Sequence, residues 1–267
     1  MSIDVHPSEF AYAFAFARAE EVIGWGSDPF RPTGEVDGAQ GDWLTMGEAR
    51  LTTEGRLVGT PDTGLNFTDE MASAVLALVN PSIVMLAQRK AGDGVQTMTV
   101  HIADDVLIGL TRNTEGMFEM ERYADLAAAA GACAGFVGAD LLPLASEARI
   151  ESDRETLTGL IRLARDGQTD RVAAELVRLG ISGADAASAT RALAAPAVAG
   201  VVSVLYCQGN AVVDVETFSV MTSDEDQTWI MFPPASLEGP MILERSSAAA
   251  LTARVAVGIV ARISANG

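Results

Sequence analysis

Cysteine, histidine and lysine are all scarce in this chain, and each scarcity closes off a class of chemistry. Cys133 and Cys207 are the only cysteines. They are too few for a disulfide scaffold and lack the paired spacing of a zinc site, so both read as free thiols of a reducing compartment. Histidine occurs twice, as His6 and His101, and Lys90 is the only lysine among 18 bases. Those bases face 36 acids, for a net charge of −18. Nucleic-acid binding replaces counterions with Lys and Arg, so this balance argues against a nucleic-acid partner and against an anionic membrane surface. No Gly-x-Ser-x-Gly elbow, Walker loop or dinucleotide glycine pattern is present. Gly24-Trp25-Gly26 lacks the third glycine and reads as a turn. Asp224-Glu225-Asp226 lacks the spaced ligands and the glycine of a calcium loop and reads as a hairpin tip. No cofactor and no metal is expected. Residues 1–10 carry Asp4 and Glu9 and no basic run leading into an apolar core, so they do not form a secretory signal.

What the chain does have is apolar length. At 49% hydrophobic and 20% charged, its 267 residues suit one large domain or two small ones packed together. Two uncharged runs, 71–88 and 192–213, are long enough on count alone to cross a bilayer. Each is interrupted by a proline, Pro81 or Pro196, and turns β-branched afterwards (Ile83-Val84; Val198, Val201, Val202 and Val204). Proline ends a helix and biases its predecessor to extended geometry. Each run therefore reads as a helix followed by a buried strand, with no membrane insertion.

The two runs also resemble one another. At an offset of 115 residues, Ala72, Ser73, Ala74, Ala77, Leu78 and Pro81 meet Ala187, Ser188, Ala189, Ala192, Leu193 and Pro196. Gly94 and Gly209 follow at the same offset, and Glu121-Arg122 then matches Glu244-Arg245 after a small insertion. Self-similarity on this scale divides the chain into two related halves, 1–150 and 151–267, packed as one globular body.

Each half has one plan. Thr68 is placed to cap a helix reaching Val79, with Asp69 and Glu70 in its first turn. Strands are expected near 82–90, 95–102, 105–111 and 117–122, with Met98, Val100 and Ile102 alternating onto one face. In the second half Ser182 and Asp185 form a capping-box-like start. Strands are expected there near 198–207, 211–219, 227–232 and 240–244. Turns fall at Gly92-Asp93-Gly94, 113–116 and Gly209-Asn210, and a hairpin tip at 223–226. Ala-rich helices follow each sheet, over 126–137 and 248–263. Between the halves lie a helix over 153–165 and another from about Asp170 to Leu179, stopped by Gly180. The fold class is α+β: two pseudo-symmetric halves, each an antiparallel sheet with segregated flanking helices.

Helices near 46–58 and 68–79 followed by a hairpin could imitate a winged-helix DNA reader. The second of them, however, begins Asp69-Glu70-Met71-Ala72 without one base, and the reading fails on electrostatics. A second alternative is a small-molecule-binding protein or enzyme using a cleft between the halves, with His101 and its neighbours Asp104 and Asp105 as polar groups.

The stretch Leu176-Val177-Arg178-Leu179-Gly180-Ile181-Ser182, then Ala192-Leu193-Ala194-Ala195-Pro196 and a strand, resembles the EspG family of ESX (type VII) secretion-associated proteins. Thr228-Trp229-Ile230-Met231-Phe232-Pro233 is similar to that family's aromatic strand ending in proline. The first half matches at Arg56-Leu57 and from Thr68 to Pro81. The resemblance implies an EspG-like fold and a non-enzymatic cytoplasmic chaperone. Its partner would be a PE–PPE heterodimer, whose helical tip it would hold until secretion; a homodimer is the other assembly to consider. The family's first-half hairpin often carries an extended loop that takes part in client contact, whereas here it is only Ala91-Gly92-Asp93-Gly94. The candidate partner-binding residues are Lys90, Asp93, Arg112, Asn113 and Glu115 at the hairpin ends, with the helix around 248–263 as the fallback face. Trp229, in an aromatic strand, is expected in the core.

Overall fold

The structure, a computed structural model, describes residues 2–32, 39–60, 64–138, 148–209, 211–223, 227–234 and 239–266. The elements run β1 (Ser2–Val5), α1 (Pro7–Ala17), α2 (Ala39–Thr53), β2 (Leu57–Thr60), β3 (Gly64–Phe67), α3 (Asp69–Val79), β4 (Ile83–Ala91), β5 (Gly94–Ala103), β6 (Val106–Arg112), β7 (Phe118–Arg122) and α4 (Leu126–Phe136). They continue β8 (Arg149–Ser152), α5 (Arg154–Arg165), α6 (Thr169–Arg178), α7 (Gly183–Ala194), β9 (Val198–Gln208), β10 (Ala211–Thr222), β11 (Thr228–Phe232), β12 (Met241–Arg245) and α8 (Ala248–Asn266). The expected tip at 224–226 and Asn210 of the expected turn lie outside the described residues.

The α+β class is as expected, with one difference: the strands join into a single sheet. Its order is β1-β7-β6-β5-β4-β9-β10-β11-β12-β8, with β2 and β3 apart as a separate hairpin. Read inward from either edge the order is the same, β1-β7-β6-β5-β4 and β8-β12-β11-β10-β9. Helices α3 and α7 precede the first long strand of each series, and α4 and α8 follow the last. Both edge strands, β1 and β8, are four residues long.

A correction applies to the helix expected over 46–58. Helix α2 stops at Thr53, and 57–60 pairs as a strand, Leu57 opposite Phe67. The reason is local: Gly55 takes φ +68°, and the Arg56 amide turns back to donate to the Leu51 carbonyl, closing the helix in a left-handed cap.

The contacts group the chain into two compact units, each discontinuous in sequence: 1–84 with 98–129 and 205–214, and 85–97 with 130–204 and 215–267. In the first unit the core is aromatic. Phe10, Phe14, Phe30 and Phe118 are buried, with ring centroids 4.9–5.7 Å apart. Helix α1 is fixed by a reciprocal cap: His6 Nδ1 accepts from the Ser8 amide, and the His6 amide donates to Glu9 Oε2 at 2.7 Å. The Glu9 carboxylate is fully buried, and its charge is matched by Arg56 at 3.1 Å and Arg50 at 3.4 Å. A buried carboxylate is tolerated only with such partners. Beneath the sheet, the Trp25 indole N–H donates to Thr99 Oγ1 at 2.8 Å, and Thr99 shares a hydrogen bond with His101 Nε2 at 3.0 Å.

The second unit packs α5, α6 and α7 on strands β8, β11 and β12 through Leu157, Leu160, Val172, Leu176, Leu193 and Trp229. The cap expected at Ser182 forms here, and Asp153 adds a second one. Asp153 accepts from the Thr156 amide at 2.8 Å and Ser182 from the Asp185 amide at 3.1 Å. Trp229 is completely buried, as expected, and its indole N–H donates to Ser188 Oγ at 2.9 Å.

Three outcomes follow. Trp229→Ala lowers the unfolding free energy by about 3–5 kcal/mol; an unchanged melting temperature contradicts the packing described. Glu9→Ala breaks the buried pair but leaves Glu54 as a partner, 2.7 Å from Arg56 and 3.8 Å from Arg50, and costs about 3 kcal/mol, the low end for a broken buried pair. Denaturant titration measures both. Burial also pushes the His101 imidazole down to about 3, and burial followed by the Arg50 charge lowers His6. His101 is held neutral in the fold and His6 takes up a proton less readily there, whereas an unfolded histidine titrates near 6.5. Their contribution is therefore intact above about pH 6.5 and is lost as pH falls below it. His101→Gln flattens the fall in stability between pH 7.5 and 5, and a slope parallel to that of the parent chain contradicts this.

Candidate functional site

Helix α7 ends where its C-cap, Ala195, meets Pro196, which cannot continue a helix, and β9 begins two residues later. The side chains at this junction are short: Ala192, Ala194, Ala199 and Gly200. Short side chains between a helix end and a sheet leave space, and here they border a cleft of about 350 Å³ within the second unit. Its remaining walls come from Ile161 and Arg165 of α5, the end of β4 at 88–90, and Met221 and Met231 of β10 and β11. Gly200 is obligatory in this arrangement. A Cβ there would lie 2.7 Å from the Val137 Cβ and 3.0 Å from the Gln88 carbonyl oxygen. The cleft lining is largely aliphatic, and the two methionines give it adaptable, polarizable walls.

Among the described residues the charged groups of the lining are Arg89, Lys90 and Arg165, and no Asp or Glu borders the cleft. Arg89 is held in place: Nε donates to Gln96 Oε1 at 2.8 Å, Nη1 to the Phe136 carbonyl at 3.1 Å, and the guanidinium lies 4.9 Å from the centre of the Phe136 ring. All three partners are uncharged, so its charge stays uncompensated. Lys90 and Arg165 are exposed and form no ion pair among the described residues.

Of the candidate residues read from sequence, Lys90 borders this cleft and Asp93 stands in the same β4–β5 hairpin. Arg112, Asn113 and Glu115 belong to the β6–β7 turn of the first unit, and all are exposed. Two of them shape that turn. Asn113 Oδ1 accepts from the amides of Glu115 and Met117, both at 3.0 Å, and Arg112 Nε donates to the Gly116 carbonyl at 3.2 Å. The fallback face on α8 exposes Val257, Val260 and Ile263.

Sequence reading missed Ile161, Arg165, Met221 and Met231. Arg165 reads locally as a cation in the last turn of α5, favourable to the helix dipole, and nothing near it in sequence points to a cleft. His101, offered as a polar group of an open cleft, is instead wholly buried and neutral, which removes it as an acid–base group. Burial pushes the Cys133 thiol up to about 12, so it is no nucleophile. Among the described residues no three His, Cys, Asp or Glu side chains gather as a metal site, and no helix is long and apolar enough to cross a membrane.

No family model matches the sequence, and no curated protein matches it. Among solved structures the chain is similar to EspG5, the type VII secretion system chaperone of Mycobacterium tuberculosis, in a complex with a PE25–PPE41 dimer. The TM-score is 0.69 at 14% sequence identity, over 96% of this chain and 94% of that one. At that identity the likeness is one of fold: the chain has the EspG-like fold to which its sequence pattern points.

Proposed function

We propose that this chain is a non-enzymatic, cytoplasmic chaperone that binds the helical tip of a PE–PPE type client and keeps it soluble for type VII secretion. The observation that carries this reading is the fold likeness, along nearly the whole chain, to a chaperone seen with a PE–PPE dimer. The cleft supports it. It is open, mostly aliphatic and formed by small side chains, which suits the i, i+3, i+4 anchors of a helix laid against it. Net charge supports it as well, because a carrier at −18 stays dispersed while an apolar patch on its client is covered. Lys90, Asp93, Arg112, Asn113 and Glu115 are the proposed hairpin contacts, and the halves 1–150 and 151–267 the proposed repeat units.

Co-expression with the PE–PPE pair encoded nearest the gene tests this. The expected result is a stable ternary complex on size exclusion and a higher soluble yield of the pair. Ala199→Trp, which fills the cleft from its β9 wall, abolishes the complex while the chain keeps its melting temperature. A pair that stays equally soluble and elutes apart from the chain contradicts the reading.

A further inference from the structure

The cleft collects cations in a chain that is short of them. Among the described residues three bases border it, the chain's only lysine among them, and no acid does. Two of the three are held by no ion pair among the described residues, although Arg165 also suits the C-terminal dipole of α5. Arg89 is tied down by Gln96 and Phe136, but Lys90 and Arg165 stabilise no carboxylate of the fold among the described residues. They stand on different elements, the end of β4 and the last turn of α5, among a largely aliphatic lining. A volume of about 350 Å³ is at the small end of ligand pockets, which run from about 300 to 1,000 Å³. It suits a few aliphatic anchors of a larger partner better than a whole cofactor. Positive potential over such a lining selects partners by charge and speeds their approach, more than it adds raw affinity.

We propose that the cleft takes an amphipathic helix of a protein client whose apolar edge is flanked by Asp or Glu, and that Lys90 and Arg165 read that acidic flank. The inference rests on the chaperone reading above and adds a specificity to it: the client is recognised by sign of charge as well as by apolar fit. Clients with basic flanks are turned away at the same two residues, because like charges facing one another across an interface are penalised.

Three synthetic helical peptides test it, identical in their leucine edge and carrying Glu, Gln or Lys beside it. Binding to the full chain is measured by fluorescence anisotropy at low and high salt. The Glu peptide binds about tenfold more tightly than the Lys peptide at low salt, with Gln between, and the spread narrows as salt screens it. The Lys90→Glu, Arg165→Glu double variant reverses the ranking; both residues are exposed, and circular dichroism checks that the variant is folded. Lys90→Met with Arg165→Met collapses the spread. Equal binding of all three peptides, no binding of any, or a ranking untouched by the reversal overturns the proposal. Displacement of the Glu peptide by decanoate, with no such displacement by octanol, makes the occupant a single-chain carboxylate and overturns the helix. A chain that ranks the peptides by charge but forms no complex with a PE–PPE pair keeps this inference and discards the client class. One that forms the complex but binds the peptides alike does the reverse.

Discussion

The second unit hangs on one contact, the indole of Trp229 donating to Ser188. Trp229 is the largest fully buried side chain, carried on β11, and Ser188 lies midway along α7. The bond fixes the helix along its axis and in rotation about it, because an indole has a single donor and a buried one must be met. Helices α5 and α6 then pack against α7 through Leu157, Leu160 and Leu176. The end of α7 is therefore set by a residue far from it in sequence, and with it the small side chains that border the cleft. Stability and site are coupled here: any change that lets α7 slide also moves the wall that a partner would touch.

The first unit meets the same problem with charge. Glu9 caps its own helix and holds Arg50 and Arg56, so that the N-terminal helix, α2 and the start of β2 are tied through one carboxylate. Such a centre is exacting, because each of its groups is costly to bury alone. Aliphatic and aromatic packing supplies the bulk of the stabilisation around it, while the ionic centre fixes the geometry.

Much of this was legible in sequence, for identifiable reasons. The long strands and the helices ahead of Pro81 and Pro196 carry their signals locally, in alternation, caps and turns, so their bounds agree within a few residues. The N-terminal region was opaque. Phe10-Ala11-Tyr12-Ala13-Phe14-Ala15-Phe16 alternates with the period of a strand, yet it folds as a helix because His6, Pro7 and Glu9 start one and the rings find partners in Phe30 and Phe118. Strands β1 and β8 are short, and their pairing partners, β7 and β12, are distant in sequence, so no local pattern marks them. The cleft was legible at one residue. Lys90 is conspicuous by composition alone, whereas Ile161, Arg165, Met221 and Met231 are brought together only by the tertiary fold.

The two ends of the large sheet have a bearing on how such a molecule behaves at high concentration. A long open sheet offers unpaired backbone at both margins, a template on which further chains can polymerise. Here each margin is a four-residue strand carrying ionic side chains, Asp4 on one, Arg149 and Glu151 on the other. Arg149 is paired with Glu151 beside it and with Glu244 on the neighbouring strand. Strands this short and this charged add little by pairing with another chain, so a sheet of ten strands can stay unpolymerised although both its margins are open.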